Sequence, residues 1–282
     1  MSLSSSKPLL QMTSRAAVIQ MVSGQDVATN LLMARNQLEH AKQQGALLAL
    51  LPENFAVFGS RQLQARGEAE LSVQGPLRSW MAKQAKDLGL WLVGGTIPCT
   101  DKATHSHRVR AACFVYDDTG QEVARYDKIH LFDADVTDAH GSYRESDNFE
   151  GGDALVVVET PIGRIGLTTC YDLRFAELHT ALVAKGAQVI TNGAAFTCAT
   201  GEAHWHTLLK ARAIETQCYI LAAAQGGSHG IRETYGHSMI IDPWGNVLQE
   251  MQQGEGCVSA SIDLDFLQKV RQKMPIGQHR RL

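Results

Sequence analysis

From Arg15 onward the chain alternates short apolar runs with segments whose apolar residues return every three or four positions, the rhythm of strands alternating with helices. Ala16 to Met21 reads as a first strand. Between Asp26 and Gln44 the apolar positions Val27, Leu31, Ala34, Leu38 and Ala41 follow helical spacing, and Gly45 stands where a helix stops, so the stretch predicts an amphipathic helix. Ala46 to Leu51 is apolar throughout, as a strand covered on both faces must be, and it delivers Pro52-Glu53-Asn54 at its C-terminal end. A second helix is predicted from Pro76 to Leu88, ended by Gly89, with the strand Leu90 to Val93 after it.

Val109 to Tyr116 and Gln121 to Tyr126 flank the turn Asp117-Asp118-Thr119-Gly120, a hairpin that puts Lys128 just beyond the returning strand. Asp133 to Asp153 is polar and aperiodic, a long loop of the kind that is usually functional. Leu155 to Glu159 and Arg164 to Thr168 form another hairpin, whose exit strand runs into Cys170. A helix after Arg174, a strand at Gln188 to Thr191, a helix at Glu202 to Thr216, a strand at Cys218 to Ala224 and a late hairpin (His237 to Asp242, Val247 to Met251) complete the pattern. No repeat or Pro/Ser-rich linker interrupts it. The expectation is one α/β domain over residues 15–282, with residues 1–14 set aside as a disordered tail or leader.

Composition narrows the class. With 282 residues, 44% hydrophobic and 20% charged, the chain can bury a large core. A net charge of -3 and no dense Lys/Arg stripe exclude an electrostatic footprint for nucleic acid or an anionic membrane. No apolar run approaches the ~18 residues of a membrane helix. A cytoplasmic protein with a small-molecule partner is expected. The six cysteines are scattered without a C-x-x-C pair, against both a disulfide framework and a structural zinc site. His105-x-His107 and His204-x-His206 are not read as a metal centre, because residues two apart on a helix do not face each other and no further ligands gather at zinc-like spacing; no cofactor is expected.

Three potentially reactive side chains, Glu53, Lys128 and Cys170, stand at strand ends, where ligands bind in open α/β sheets. Each alone is weak: a solvated turn acid, a surface lysine, a core cysteine. Cys170 gains from its place at a sharp strand-to-helix turn, where backbone N–H groups favour negative charge and push a thiol toward thiolate.

The segments Leu51-Pro52-Glu53-Asn54-Phe55, Arg125-Tyr126-Asp127-Lys128-Ile129-His130-Leu131-Phe132-Asp133 and Thr169-Cys170-Tyr171-Asp172-Leu173-Arg174-Phe175 resemble, in order, the three signature segments of the nitrilase-like carbon-nitrogen hydrolases. The resemblance covers nearly the whole chain from Arg15. It implies a four-layer α-β-β-α sandwich that assembles as a homodimer or higher homo-oligomer. By that resemblance Glu53 is the general base, Cys170 the nucleophile and Lys128 the cationic stabiliser. Glu145 is the family's second glutamate, and the backbone N–H of Tyr171 joins Lys128 as oxyanion donor. Ala176 departs from the proline that many relatives carry after Phe175, which bears on the helix start.

Cys170-Tyr171-Asp172-Leu173-Arg174 lacks the Cys-Trp-Glu-Asn form of true nitrilases, and Arg174 is suited to grip a substrate carboxylate, although an ion pair with Asp172 or Glu177 is an equal reading. The later segments Ala195 to Trp205, Ala211 to Tyr219, Tyr235 to Ser238 and His279 to Arg281 resemble the branch that hydrolyses deaminated glutathione, in which Phe196 and Thr200 would line the pocket beside Arg174. A small acidic amide is therefore the expected substrate. The alternatives are an omega-amidase acting on α-ketoglutaramate or α-ketosuccinamate, and an inactive scaffold of the same fold. A papain-like protease would need a histidine base in a local pattern that this chain lacks.

Overall fold

Alternation along the first strand sets the layers. In β1 (Ser14–Gln20), Ala16 and Val18 join one apolar cluster while Ala17 and Ile19 join another, so this sheet is covered on both faces. The computed structural model describes residues 14–59, 62–100, 107–138 and 140–281. The segment set aside as a tail lies outside the described residues except Ser14, which opens β1, and His105 lies outside them too.

The first half of the chain runs α1 (Val27–Gln43), β2 (Leu48–Leu50), α2 (Leu63–Ala69), α3 (Pro76–Leu88), β3 (Trp91–Val93), β4 (Ile97–Cys99), β5 (Arg110–Tyr116) and β6 (Glu122–Asp127). The Asp26 carboxylate caps α1 by accepting from the Thr29 N–H at 2.7 Å, and Pro76 opens α3, which ends on the left-handed Gly89. Then follow β7 (Asp133–Asp135), β8 (Ser142–Arg144), β9 (Val157–Thr160), β10 (Gly163–Thr169), α4 (Ala176–Ala184), β11 (Val189–Ala194), α5 (Cys198–Thr216) and β12 (Tyr219–Ala224). The last stretch holds β13 (Ser228–His229), β14 (Arg232–Glu233), β15 (Ser238–Ile241), β16 (Val247–Met251), β17 (Gly256–Ile262), α6 (Leu264–Lys273) and α7 (Ile276–His279).

One sheet has the order β17-β1-β2-β3-β5-β4 with β6 on β5, and the other the order β16-β15-β12-β11-β10-β9. Between them Val18, Leu50 and Val115 of the first meet Leu167, Val189 and Leu221 of the second. The outer face of the first is covered by Leu38 of α1 and Met81 of α3, and that of the second by Leu182 of α4 and Leu209 of α5. The layers are thus α-β-β-α, as the family resemblance implied. No helix among the described residues is long and apolar enough to cross a membrane.

Several elements differ from the sequence reading. The stretch Asp133 to Asp153 is not featureless: β7 and β8 pair as a short hairpin, and a 3-10 turn spans Glu145–Asp147. The helix α5 starts at Cys198, four residues earlier than its apolar period predicts, because the Thr197 hydroxyl caps it by accepting from the Thr200 N–H at 3.2 Å. Near the C-terminus, β17 returns to pair antiparallel with β1, Ala260 opposite Ala16.

Candidate active site

The loops leaving β2, β6 and β10 bring three side chains to one buried point. Lys128 is 2% exposed, Glu53 5% and Cys170 8%. The Lys128 ammonium donates to Glu53 Oε1 at 2.9 Å and to both Glu145 carboxylate oxygens at 2.8 Å. Glu145 is itself held from the other side, where the Phe132 N–H donates to its Oε2 at 2.6 Å. Cys170 interacts with the Glu53 carboxylate and with the Ala195 N–H. Four of the residues singled out in the sequence therefore form one cluster, although Glu53 and Cys170 lie on different sheets' loops.

Backbone strain marks the same place. Asn54 and Cys170 carry φ of 57° and 47°, the left-handed region that side chains other than glycine's rarely enter. The turn after β2 is seated against Gly95, whose φ is 54° and where any Cβ would collide with the Pro52 carbonyl oxygen. Gln225 fixes it further by donating to the Glu53 carbonyl at 3.0 Å and to Ser23 Oγ at 2.9 Å. Tyr171 follows Cys170 in the first turn of a 3-10 helix (Cys170–Arg174), where backbone N–H groups have no acceptor one turn back.

Asp172 ties the lysine segment to the cysteine turn. Its fully buried carboxylate accepts from Tyr126 OH at 2.6 Å, the Thr169 N–H at 2.9 Å and the His130 N–H at 3.0 Å, with His130 Nδ1 at 2.7 Å. The sequence reading used Asp172 only as a possible partner of Arg174. Its role as a tie was hidden because Tyr126, His130 and Thr169 are distant or unremarkable along the chain. The aspartate three residues after Thr169, a capping-box spacing, was the one local signal.

The charges of the cluster are set by burial and by each other. Burial raises the Glu53 carboxyl above its ordinary range and Glu145 adds to this, while Lys128 opposes it. Burial alone would depress the Lys128 ammonium, yet Glu145 and Glu53 outweigh it and hold the group well above its usual range. For Cys170, burial and then the Glu53 charge push the thiol well above its ordinary value, and Lys128 and the Ala195 N–H pull back less. This corrects the expectation of a thiolate. The helix that begins at Cys170 is a single 3-10 turn, and its small dipole does not offset desolvation beside a carboxylate. A thiolate-absorbance titration of wild type minus Cys170→Ser is expected to place the Cys170 midpoint above the free-thiol value of about 8.5; a midpoint below it would mean that Lys128 dominates.

The cluster lies on the wall of a cavity of about 940 Å³, lined also by Asn54, Phe132, Tyr143, Ala195, Thr197 and Arg232. Arg174, Phe196 and Thr200 are not on that lining. Ala195 and Thr197 face the cavity, and the intervening Phe196 turns away to pack on Trp205, ring centroids 4.8 Å apart. Thr200 Oγ1 lies 2.9 Å from Thr197 Oγ1. Arg174 sits over the Tyr171 and Phe196 rings at 5.7 and 5.4 Å, and its recorded polar partner is His204 Nδ1 at 3.3 Å rather than Asp172 or Glu177. The sequence reading missed the cavity's Arg232, His140 and Tyr143. For His140 and Tyr143 the one signal was that Asp133 to Asp153 is polar and aperiodic; for Arg232 there was none.

His204 and His206 diverge as their spacing requires. His204 meets Arg174, whereas His206 Nε2 and His237 Nδ1 lie 2.9 and 2.6 Å from Glu250 Oε1. Among the described residues, His206, His237 and Glu250 are the group whose ligand atoms gather closely enough to hold a metal ion, and none of the three lines the cavity.

Residues 15–272 match the family model described as carbon-nitrogen hydrolase. A deaminated glutathione amidase of Yersinia enterocolitica is 41% identical over 266 residues, covering 94% of this chain and 92% of that protein. One of Bos taurus is 40% identical over 268 residues, covering 94% of this chain and 81% of that protein. The crystal structure of the C. elegans NitFhit protein superposes with a TM-score of 0.86 at 36% identity, covering 95% of this chain and 65% of that one. With its sandwich fold, its three signature segments converging on one buried point and its model match over most of its length, the chain belongs to the carbon-nitrogen hydrolase family.

Proposed function

We propose that this protein is a cysteine-dependent amidase that hydrolyses deaminated glutathione to α-ketoglutarate and cysteinylglycine. The observation that carries the reading is the Glu53–Lys128–Glu145 cluster, at 2.8 to 2.9 Å, opening with Cys170 onto one cavity. The substrate follows from the name shared by relatives around 40% identical over most of the chain, those of Yersinia enterocolitica and Bos taurus. A cavity of about 940 Å³ has room for an amide with a dipeptide as its amine half.

In this mechanism the Glu53 carboxylate takes the Cys170 proton as sulfur attacks the amide carbon. The raised carboxyl of Glu53 makes it the stronger base, and a neutral thiol makes a base necessary. The oxyanion that forms is met by the Lys128 ammonium and the Tyr171 N–H, donors worth about 3 to 4 kcal/mol each where one has been removed from such sites. The C–N bond then breaks, the departing amine takes the proton from Glu53, and the acyl group remains on sulfur as a thioester. Water gives a proton to Glu53 and attacks the thioester; Cys170 leaves as thiolate and recovers the proton. Glu145 holds Lys128 throughout. Arg174, Phe196 and Thr200 act from behind the wall, bracing Tyr171 and Thr197. Metal and cofactor have no part in these steps. The reading also carries a single hydrolase domain from residue 15, a cytoplasmic location, and a homo-oligomer whose partner is a small acidic amide rather than nucleic acid or membrane.

A panel of amides and nitriles, with ammonia and amine release both measured, tests the substrate. Deaminated glutathione is expected to be turned over faster than α-ketoglutaramate, and both faster than simple nitriles or N-carbamoyl amino acids. A wide preference for α-ketoglutaramate would replace this reading with an omega-amidase. A preference for nitriles would end the branch assignment.

A further inference from the structure

An acidic substrate needs a cation on the cavity wall, and Arg174 is not there. The guanidinium groups on the lining belong to Arg144 and Arg232. Arg144 is committed: its Nη2 donates to Asp135 Oδ1 at 2.9 Å and its Nη1 to the Tyr143 carbonyl at 2.7 Å. Arg232 is different. Among the described residues it donates an N–H to His140 Nε2 at 3.0 Å and lies over the face of the Tyr143 ring, 5.4 Å from Cζ, and it forms no ion pair with a carboxylate.

Asp138, two residues before His140, spends its carboxylate on the His140 and Gly141 N–H groups at 3.0 and 2.8 Å and on Tyr143 OH at 2.8 Å. His229 faces Arg232 across the β13–β14 hairpin, bonded to the Ser23 carbonyl at 2.7 Å and Thr234 Oγ1 at 2.8 Å. Its burial, with Arg232 adding to it, lowers its affinity for a proton. The Arg232 N–H meets His140 Nε2, a contact that orients the guanidinium without supplying a counter-charge.

Resting on the reading above, we propose that Arg232, held by His140 and Tyr143, is an anion subsite at the cavity rim that grips the carboxylate of the amine half of the substrate. The assignment to that half follows from the order of events. The acyl group must stay beside buried Cys170 until water releases it, whereas the amine leaves first and outward. The two short hairpins β7–β8 and β13–β14 carry His140, Tyr143 and Arg232, so the subsite stands on a part of the wall built by hairpins outside the two main sheets, whereas Glu53, Lys128 and Cys170 follow strands of those sheets. A planar guanidinium fork on a wall of His and Tyr fits a carboxylate two N–H donors at a time.

The test compares three amides: deaminated glutathione, the same compound with its terminal glycine carboxylate converted to carboxamide, and α-ketoglutaramate, which has no amine half beyond ammonia. Arg232→Gln is expected to lower kcat/KM for deaminated glutathione about tenfold to a hundredfold, the worth of a charged hydrogen bond, mainly through KM. Wild type should lose a similar factor on the carboxamide, with no further loss in Arg232→Gln. Activity on α-ketoglutaramate should change less than about twofold, which also reports that the variant is folded. Arg232→Lys, which keeps the charge but not the fork, should fall between. Equal loss on all three amides, or no loss on deaminated glutathione, overturns the subsite while leaving the amidase reading in place. A wild-type enzyme inactive on all three removes that reading and the subsite with it.

Discussion

Replacing Cys170 with alanine is expected to remove turnover and the acyl-enzyme together while leaving the fold in place. The change deletes one buried sulfur, and alanine meets the same positive φ of 47° that cysteine tolerates, so the stability cost is that of a small cavity, about 1 kcal/mol. The kinetic cost is of another order. Glu53 would have no proton to take, and the oxyanion donors no adduct to hold, so the loss should reach about a millionfold, the scale seen when a nucleophile is deleted from a coupled catalytic group. Mass spectrometry of enzyme mixed with substrate should show the acyl increment on the Cys170 peptide of wild type and none in the variant. An intact increment, or near-normal turnover, would take the nucleophile away from Cys170.

The second large effect concerns Lys128, and it divides into a kinetic and a structural part. Lys128→Met keeps much of the length and removes the charge, leaving Glu53 and Glu145 without their shared cation at a largely buried point. Turnover should fall by about a thousandfold or more, as for a lost oxyanion donor. The fold should lose about 3 to 5 kcal/mol at neutral pH, the cost of breaking a buried ion pair from one side. The sign of the pH dependence separates this from a general packing defect. Burial already raises the Glu53 carboxyl above its unfolded value and Lys128 opposes that rise, so without Lys128 protonation of Glu53 favours the folded variant. Its stability is retained below the unfolded carboxyl range and lost as pH rises through the raised folded value. Urea midpoints of the variant relative to wild type should therefore be closer at about pH 5 than at about pH 8. A gap that is equal at both, or that widens toward acid, would mean that the carboxylates do not depend on Lys128. Adding Glu53→Gln to Lys128→Met should restore part of the stability without further loss of rate, since one buried charge is removed and the catalytic unit is already broken.

Much of this protein is written in local periodicity. The alternation of Ala16, Ala17, Val18 and Ile19 between two cores, the stop at Gly89 and the turn from β10 into Cys170 each depend on neighbours a few residues away, and so they were legible. The candidate chemistry was legible for a related reason: Glu53, Lys128 and Cys170 each stand where a strand ends, within a segment that resembles a family signature. What periodicity does not carry is which distant segments meet. The return of β17 to β1 joins residues some 240 positions apart, and the helical period of α5 gave no warning that the hydroxyl of Thr197 would start it early. The shift of the Cys170 thiol runs opposite to the local expectation because the helix-end argument is local, while desolvation and the Glu53 charge come from packing.

The sequence by itself determined the strand and helix alternation, the α/β class and the three reactive side chains, since these rest on interactions within a few residues. The tertiary structure alone decided that Glu145 and Glu53 share Lys128, that Asp172 ties two signature segments together, that Arg174 and Phe196 are not part of the cavity lining, and that Arg232 is. Those outcomes depend on which face of an extended segment a neighbouring sheet covers. That choice is made by long-range burial, which no local pattern encodes.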